Sequence, residues 1–124
     1  MNTKLVWKEK EELQLSNDLN KVLSNIMVTE YYEVYEAEDN GLKYIIIVAD
    51  NGSYFKPGTD MAVNLLVEGK PMSVNHSGAT FIEKYCVGNT YLSNVFCVFD
   101  EKEAQERIDY IKDKALELAT PKSE

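Results

Sequence analysis

One histidine, two cysteines and a single arginine leave this 124-residue chain with little of what most site chemistry draws on. The lone His76 and the pair Cys86 and Cys97 show neither C-x-x-C nor H-x-x-x-H spacing, so no zinc signature is present and no metal site is expected. Either cysteine acting as a nucleophile would depend on His76, the one imidazole available as a base. Gly-rich phosphate loops of the G-x-x-x-x-G-K-[ST] or G-x-G-x-x-G type and a G-x-S-x-G elbow are all missing. The residues therefore predict neither a catalytic set nor a cofactor. A small enzyme built on His76 stands as the lesser alternative.

Long apolar runs are also missing. The longest unbroken one is Tyr44 to Ala49, against roughly 20 residues for a membrane span, so no bilayer crossing is expected. The N-terminal residues show no apolar stretch of signal-peptide length. The expectation is a cytoplasmic protein with reduced thiols. Positive charge is scarce too: 13 Lys and Arg face 21 Asp and Glu, for a net charge of −8. That excludes an extended nucleic-acid surface, which needs lysines and arginines to neutralise many phosphates.

With 44% hydrophobic residues, the chain can bury one ordinary core, and residues 1–124 read as a single domain with 121–124 as a frayed tail. Leu15, Leu19, Val22, Leu23 and Ile26 recur at helical spacing, with Ser16 or Asn17 as cap. Strand signals follow: Val28 to Glu38 and Leu42 to Ala49 around the Asn40-Gly41 turn, then Met61 to Glu68, then Ala79 to Val87 and Tyr91 to Phe99 around Gly88-Asn89-Thr90. The unalternating Ile45-Ile46-Ile47-Val48 run predicts a strand covered on both faces or central in the sheet. A last helix is capped by Asp100 with Glu103 three residues on, and packs Ala104, Ile108, Ile111, Ala115 and Leu118. The expected fold class is α+β: an antiparallel sheet of five or six strands flanked by an N-terminal and a C-terminal helix, drawn most simply with both helices on one face. In the second hairpin, Cys86 falls opposite a residue near Leu92, placing Cys97 about 15 Å away at about 3.3 Å per residue, beyond disulfide reach.

The charge is unevenly spread. Residues 1–40 carry four lysines against nine acids and residues 91–124 five bases against eight acids, whereas residues 41–90 balance at four and four. The neutral centre holds the loops richest in Gly, Pro, Ser, Thr and Asn, which with Lys56, Lys70, Lys84 and Arg107 can bind one small anion; ordinary turns with solvated lysines would look the same. Tyr31, Tyr32, Tyr35, Tyr44, Tyr54 and Phe55 crowd the first half of the sheet, either as packing or as an interface. Interleaved with carboxylates from Glu30 to Asp39, some of them form an acidic surface suited to a basic protein partner, as in an inhibitor that mimics DNA.

Asn51-Gly52-Ser53-Tyr54, then Pro57-Gly58, then Val74-Asn75-His76-Ser77-Gly78-Ala79-Thr80-Phe81 resembles a pattern of small phage proteins. In those, an aromatic Gly-rich turn leads to a strand ending in His-Gly-Gly, a variable residue, Thr and an aromatic. In size, element order and a C-terminal helix with a lone arginine, the chain is similar to the phage Thoeris anti-defence sponge proteins, which sequester cyclic ADP-ribose signals. The stretch covers residues 51–81, and Ser77 stands where the pattern has Gly. The resemblance implies a non-enzymatic homo-oligomer in the host cytoplasm, binding a small phosphate-bearing nucleotide between subunits. Phe81 would stack on a base, Arg107 would pair with a phosphate, and Lys56, Asn89 and Thr90 would line a polar site.

Overall fold

The computed structural model describes residues 5–11, 16–26, 28, 30–50, 61–69 and 86–119. Among them are strands β1 (Lys8–Lys10), β2 (Tyr31–Asp39), β3 (Leu42–Asp50), β4 (Met61–Glu68), β5 (Cys86–Val87) and β6 (Thr90–Val98), with helices α1 (Asn17–Asn25) and α2 (Glu101–Ala119). The strands form one sheet in the order β1-β2-β3-β4-β6-β5, every neighbouring pair antiparallel. The expected α+β class and both helices are present.

The helices do not share a face. α2 sets Ala104, Ile108, Ile111 and Ala115 against Ile46, Val48, Val63 and Leu65. α1 sets Leu19, Val22, Leu23 and Ile26 against Val34, Ile45, Ile47 and Leu66. Alternate residues of β3 thus enter different clusters, because successive strand side chains point to opposite faces. The one-face arrangement is corrected to three layers, helix, sheet, helix. The physical reason lies in the Ile45–Val48 run itself, since a strand apolar on both faces needs a cover on each.

The local signals explain most element ends. Ser16 caps α1, its Oγ accepting from the Leu19 amide at 3.1 Å. Asp100 Oδ1 accepts from the Glu103 amide at 2.9 Å, and Glu103 Oε1 accepts from the Phe99 amide at 2.9 Å, closing the start of α2 from both sides. Asn40 and Gly41 have φ of 52° and 79°, the paired left-handed geometry of a type I′ hairpin. The strand β1 has no apolar alternation to announce it. Its Lys8-Glu9-Lys10 sequence pairs with Val34 to Glu36 on the outer edge of β2, and lysines at a sheet edge discourage further strand addition. Just before it, the Trp7 indole donates to the Lys112 carbonyl at 3.3 Å, fastening the N-terminal arm to α2.

Candidate functional site

The sheet-facing stripe of α2 leaves Arg107 and Tyr110 beside it, one position off Ile108 and Ile111. Phe96 of β6 packs at the rim of the same α2 cluster. The Arg107 guanidinium lies 4.8 Å from the centre of the Phe96 ring and 5.9 Å from that of Tyr110. The two rings meet edge to face, 5.9 Å apart at 88°. A guanidinium held against aromatic faces keeps its outward donors free for an anion, while the rings limit its rotamers. Arg107 is exposed, and among the described residues no carboxylate lies in salt-bridge reach of it. Tyr110 is 42% exposed, so the arrangement is open to solvent on its outer side.

Thr90 and Asn89 lie elsewhere. At about 3.3 Å per residue, Thr90 is about 20 Å along β6 from Phe96, at the end of the sheet that carries the hairpin turns. Its side chain is 0% exposed, and Thr90 Oγ1 donates to Glu68 Oε2 at 2.9 Å. The Ser16 hydroxyl donates to the same carboxylate oxygen, so Glu68 ties the start of α1 to the β5–β6 turn. Asn89 is exposed, and its carbonyl accepts from the Gly69 amide at 3.1 Å. Within one chain, then, Arg107 does not meet Asn89 or Thr90, and the Thr90 hydroxyl serves the fold. Phe81, Lys56 and His76 lie outside the described residues, as do Lys70, Lys84, Tyr54 and Phe55.

Cys86 and Cys97 are both half-buried and are not joined in a disulfide. Burial, and then the Asp18 carboxylate, push the Cys86 thiol above its ordinary value, the reverse of what an activated nucleophile needs. The tyrosines divide by position. Tyr35 and Tyr44 are buried in the α2 cluster, and Tyr91, whose phenol burial pushes up to about 12, donates to the Ala119 carbonyl at 3.2 Å. Tyr31 and Tyr32, at the start of β2, are 41% and 51% exposed between Glu30 and Glu33. Among the described residues no helix is long and apolar enough to cross a membrane, and no three His, Cys, Asp or Glu side chains group as a metal site.

Arg107 stands out in the sequence as the lone arginine, whereas Phe96 and Tyr110 do not. Tyr110 was within reach of it, since residues three apart are neighbours on a helix surface. Phe96 was not, because only the docking of α2 on β6 brings it to the guanidinium. No protein-family model, no curated protein and no solved structure matches this chain.

Proposed function

We propose that this protein is a non-enzymatic binder of a small phosphate-bearing nucleotide, with Arg107 as the phosphate contact. The observation that carries the reading is the exposed guanidinium braced by Phe96 and Tyr110, with no carboxylate partner among the described residues. In a chain of net charge −8, a cation left open in this way is suited to an external anion, and Arg offers phosphate two parallel donors. Tyr110 adds ring surface beside it for a planar group. The resemblance to anti-defence sponges narrows the ligand class to cyclic ADP-ribose-type or other cyclic nucleotide signals, held by a homo-oligomer that sequesters them.

Calorimetry with cyclic ADP-ribose isomers and cyclic dinucleotides tests this. One of them should bind the native protein, and Arg107→Ala should weaken it about 10- to 100-fold, the equivalent of one charge-assisted contact, with an unchanged circular dichroism spectrum. Equal affinity in Arg107→Ala removes Arg107 from the site. A panel silent at millimolar concentration removes the nucleotide reading.

A second reading rests on a separate surface. The exposed Tyr31 and Tyr32 between Glu30 and Glu33 form a tyrosine and carboxylate strip suited to a basic protein partner. An acidic inhibitor acting there would bind its partner several-fold more weakly for each doubling of salt, and a Tyr31→Ala, Tyr32→Ala double variant would lose it. Partner binding indifferent to both changes would rule that surface out.

A further inference from the structure

Helix spacing sets which side chains can meet Arg107 on α2. Residues three and four positions away are its neighbours on the helix surface, and these are Glu103, Ala104, Tyr110 and Ile111. Glu103 is the single carboxylate among them, and it stands four residues N-terminal to the cation, the stronger orientation for such a pair. Among the described residues, however, Arg107 forms no salt bridge. Glu103 Oε1 instead accepts from the Phe99 amide at 2.9 Å, while the Glu103 amide donates to Asp100 Oδ1 at 2.9 Å. The acids nearest in sequence, Glu106 and Asp109, are one and two residues from Arg107 and so do not face it. Asp109 Oδ1 is also engaged by the Gln105 side-chain amide at 3.0 Å.

A helix cap and an ion pair thus compete for one carboxylate. The amides at the start of a helix have no intrahelical acceptor, and a charged acceptor there also gains from the helix dipole. At Arg107 the same carboxylate would meet a guanidinium open to solvent, where water and salt weaken ion pairs. The cap prevails. We propose that the cap at the start of α2 keeps the anion site at Arg107 open: Glu103 is a positioning residue, and its release from the Phe99 amide closes the site by setting a carboxylate against the guanidinium. The proposal rests on the reading of Arg107 as a phosphate contact and adds the state of α2 on which that contact depends. Phe96 and Tyr110 brace the guanidinium from β6 and from the following turn of α2; Glu103 acts from the preceding turn.

The single arginine makes the experiment direct, because its Nε–H gives one side-chain NMR signal in the full-length labelled protein. Inorganic pyrophosphate is the probe, titrated against that signal at constant ionic strength. Phe99→Pro removes the amide donor, whereas Phe99→Ala removes the same ring and keeps the donor. Phe99→Pro should bind about two- to threefold more weakly than Phe99→Ala, the competition expected from one exposed ion pair. Adding Glu103→Gln to Phe99→Pro should restore the affinity of Phe99→Ala, since glutamine offers the guanidinium no charge. Glu103→Gln alone retains a cap acceptor and should bind within about twofold of the native protein. Equal binding by Phe99→Pro and Phe99→Ala, a double variant that stays weak, or Glu103→Gln alone binding more than about twofold tighter than native would overturn the proposal. The last of these decides it even if Phe99→Pro does not fold. A native signal that pyrophosphate does not move overturns it too. Pyrophosphate binding at Arg107 with no nucleotide binding would sink the nucleotide reading alone.

Discussion

Gly69→Ala is expected to lower stability by about 2–4 kcal/mol, combining a conformation that side chains avoid with a steric collision. In a chain of this size that is about 10 °C in Tm, read by thermal denaturation followed by circular dichroism. Gly69 has φ of +122°, and a Cβ there would stand 2.7 Å from the Gly41 carbonyl oxygen. That oxygen belongs to the β2–β3 turn, so relief requires the backbone of one turn to move. The Gly69 amide is committed on its other side to the Asn89 carbonyl at 3.1 Å. Gly41→Ala is the matched comparison: it has positive φ, +79°, but nothing within 4 Å of the added methyl, so only the conformational cost of about 1–2 kcal/mol applies. Equal losses in the two variants would show that the close approach of Gly69 to the β2–β3 turn contributes nothing.

Ile46→Ala and Ile45→Ala should each cost about 2–5 kcal/mol, the range for truncating a buried branched side chain and leaving a cavity. The residues are adjacent in β3, 0% and 1% exposed, and enter opposite clusters, Ile46 under α2 and Ile45 under α1. A sheet covered on one face would make one of the two substitutions cheap. Urea denaturation of both variants measures this directly, and a cost under about 1 kcal/mol, the range of a surface change, for either would contradict the three-layer arrangement. The two effects should also add when combined, because the side chains project to opposite sides of the strand and share no cluster.

Much of the fold was written in local sequence. The Asn40-Gly41 pair, the Ser16 and Asp100 caps and the helical stripe from Ala104 to Ala115 each specify their element through interactions within a few residues. The strand β1 was not legible, since a three-residue charged segment acquires its conformation from the edge of β2 and from Trp7 reaching Lys112. Of the candidate site, Arg107 was legible as the only arginine of an acidic chain. Thr90 had the right chemistry to line a ligand site, but its hydroxyl proved to be held by Glu68 from the neighbouring strand. Sequence carries no sign of such a pairing, because β4 and β6 become neighbours only through the sheet order.

The scarcity of histidine, cysteine and positive charge narrowed the chemistry to be expected of the chain. By itself the sequence also determined the two helices, the Asn40-Gly41 turn and the long central strands, though not β1, because capping, glycine conformation and side-chain periodicity act over one or two turns of chain. Only the tertiary structure decided which face each helix covers, what surrounds the Arg107 guanidinium, and that the Asn64 amide oxygen is buried with no hydrogen-bond partner among the described residues. Those depend on side chains distant in sequence being brought within a few ångströms. The energy that sets them, burial of the two β3 faces against α1 and α2, belongs to the assembled layers and to no single segment.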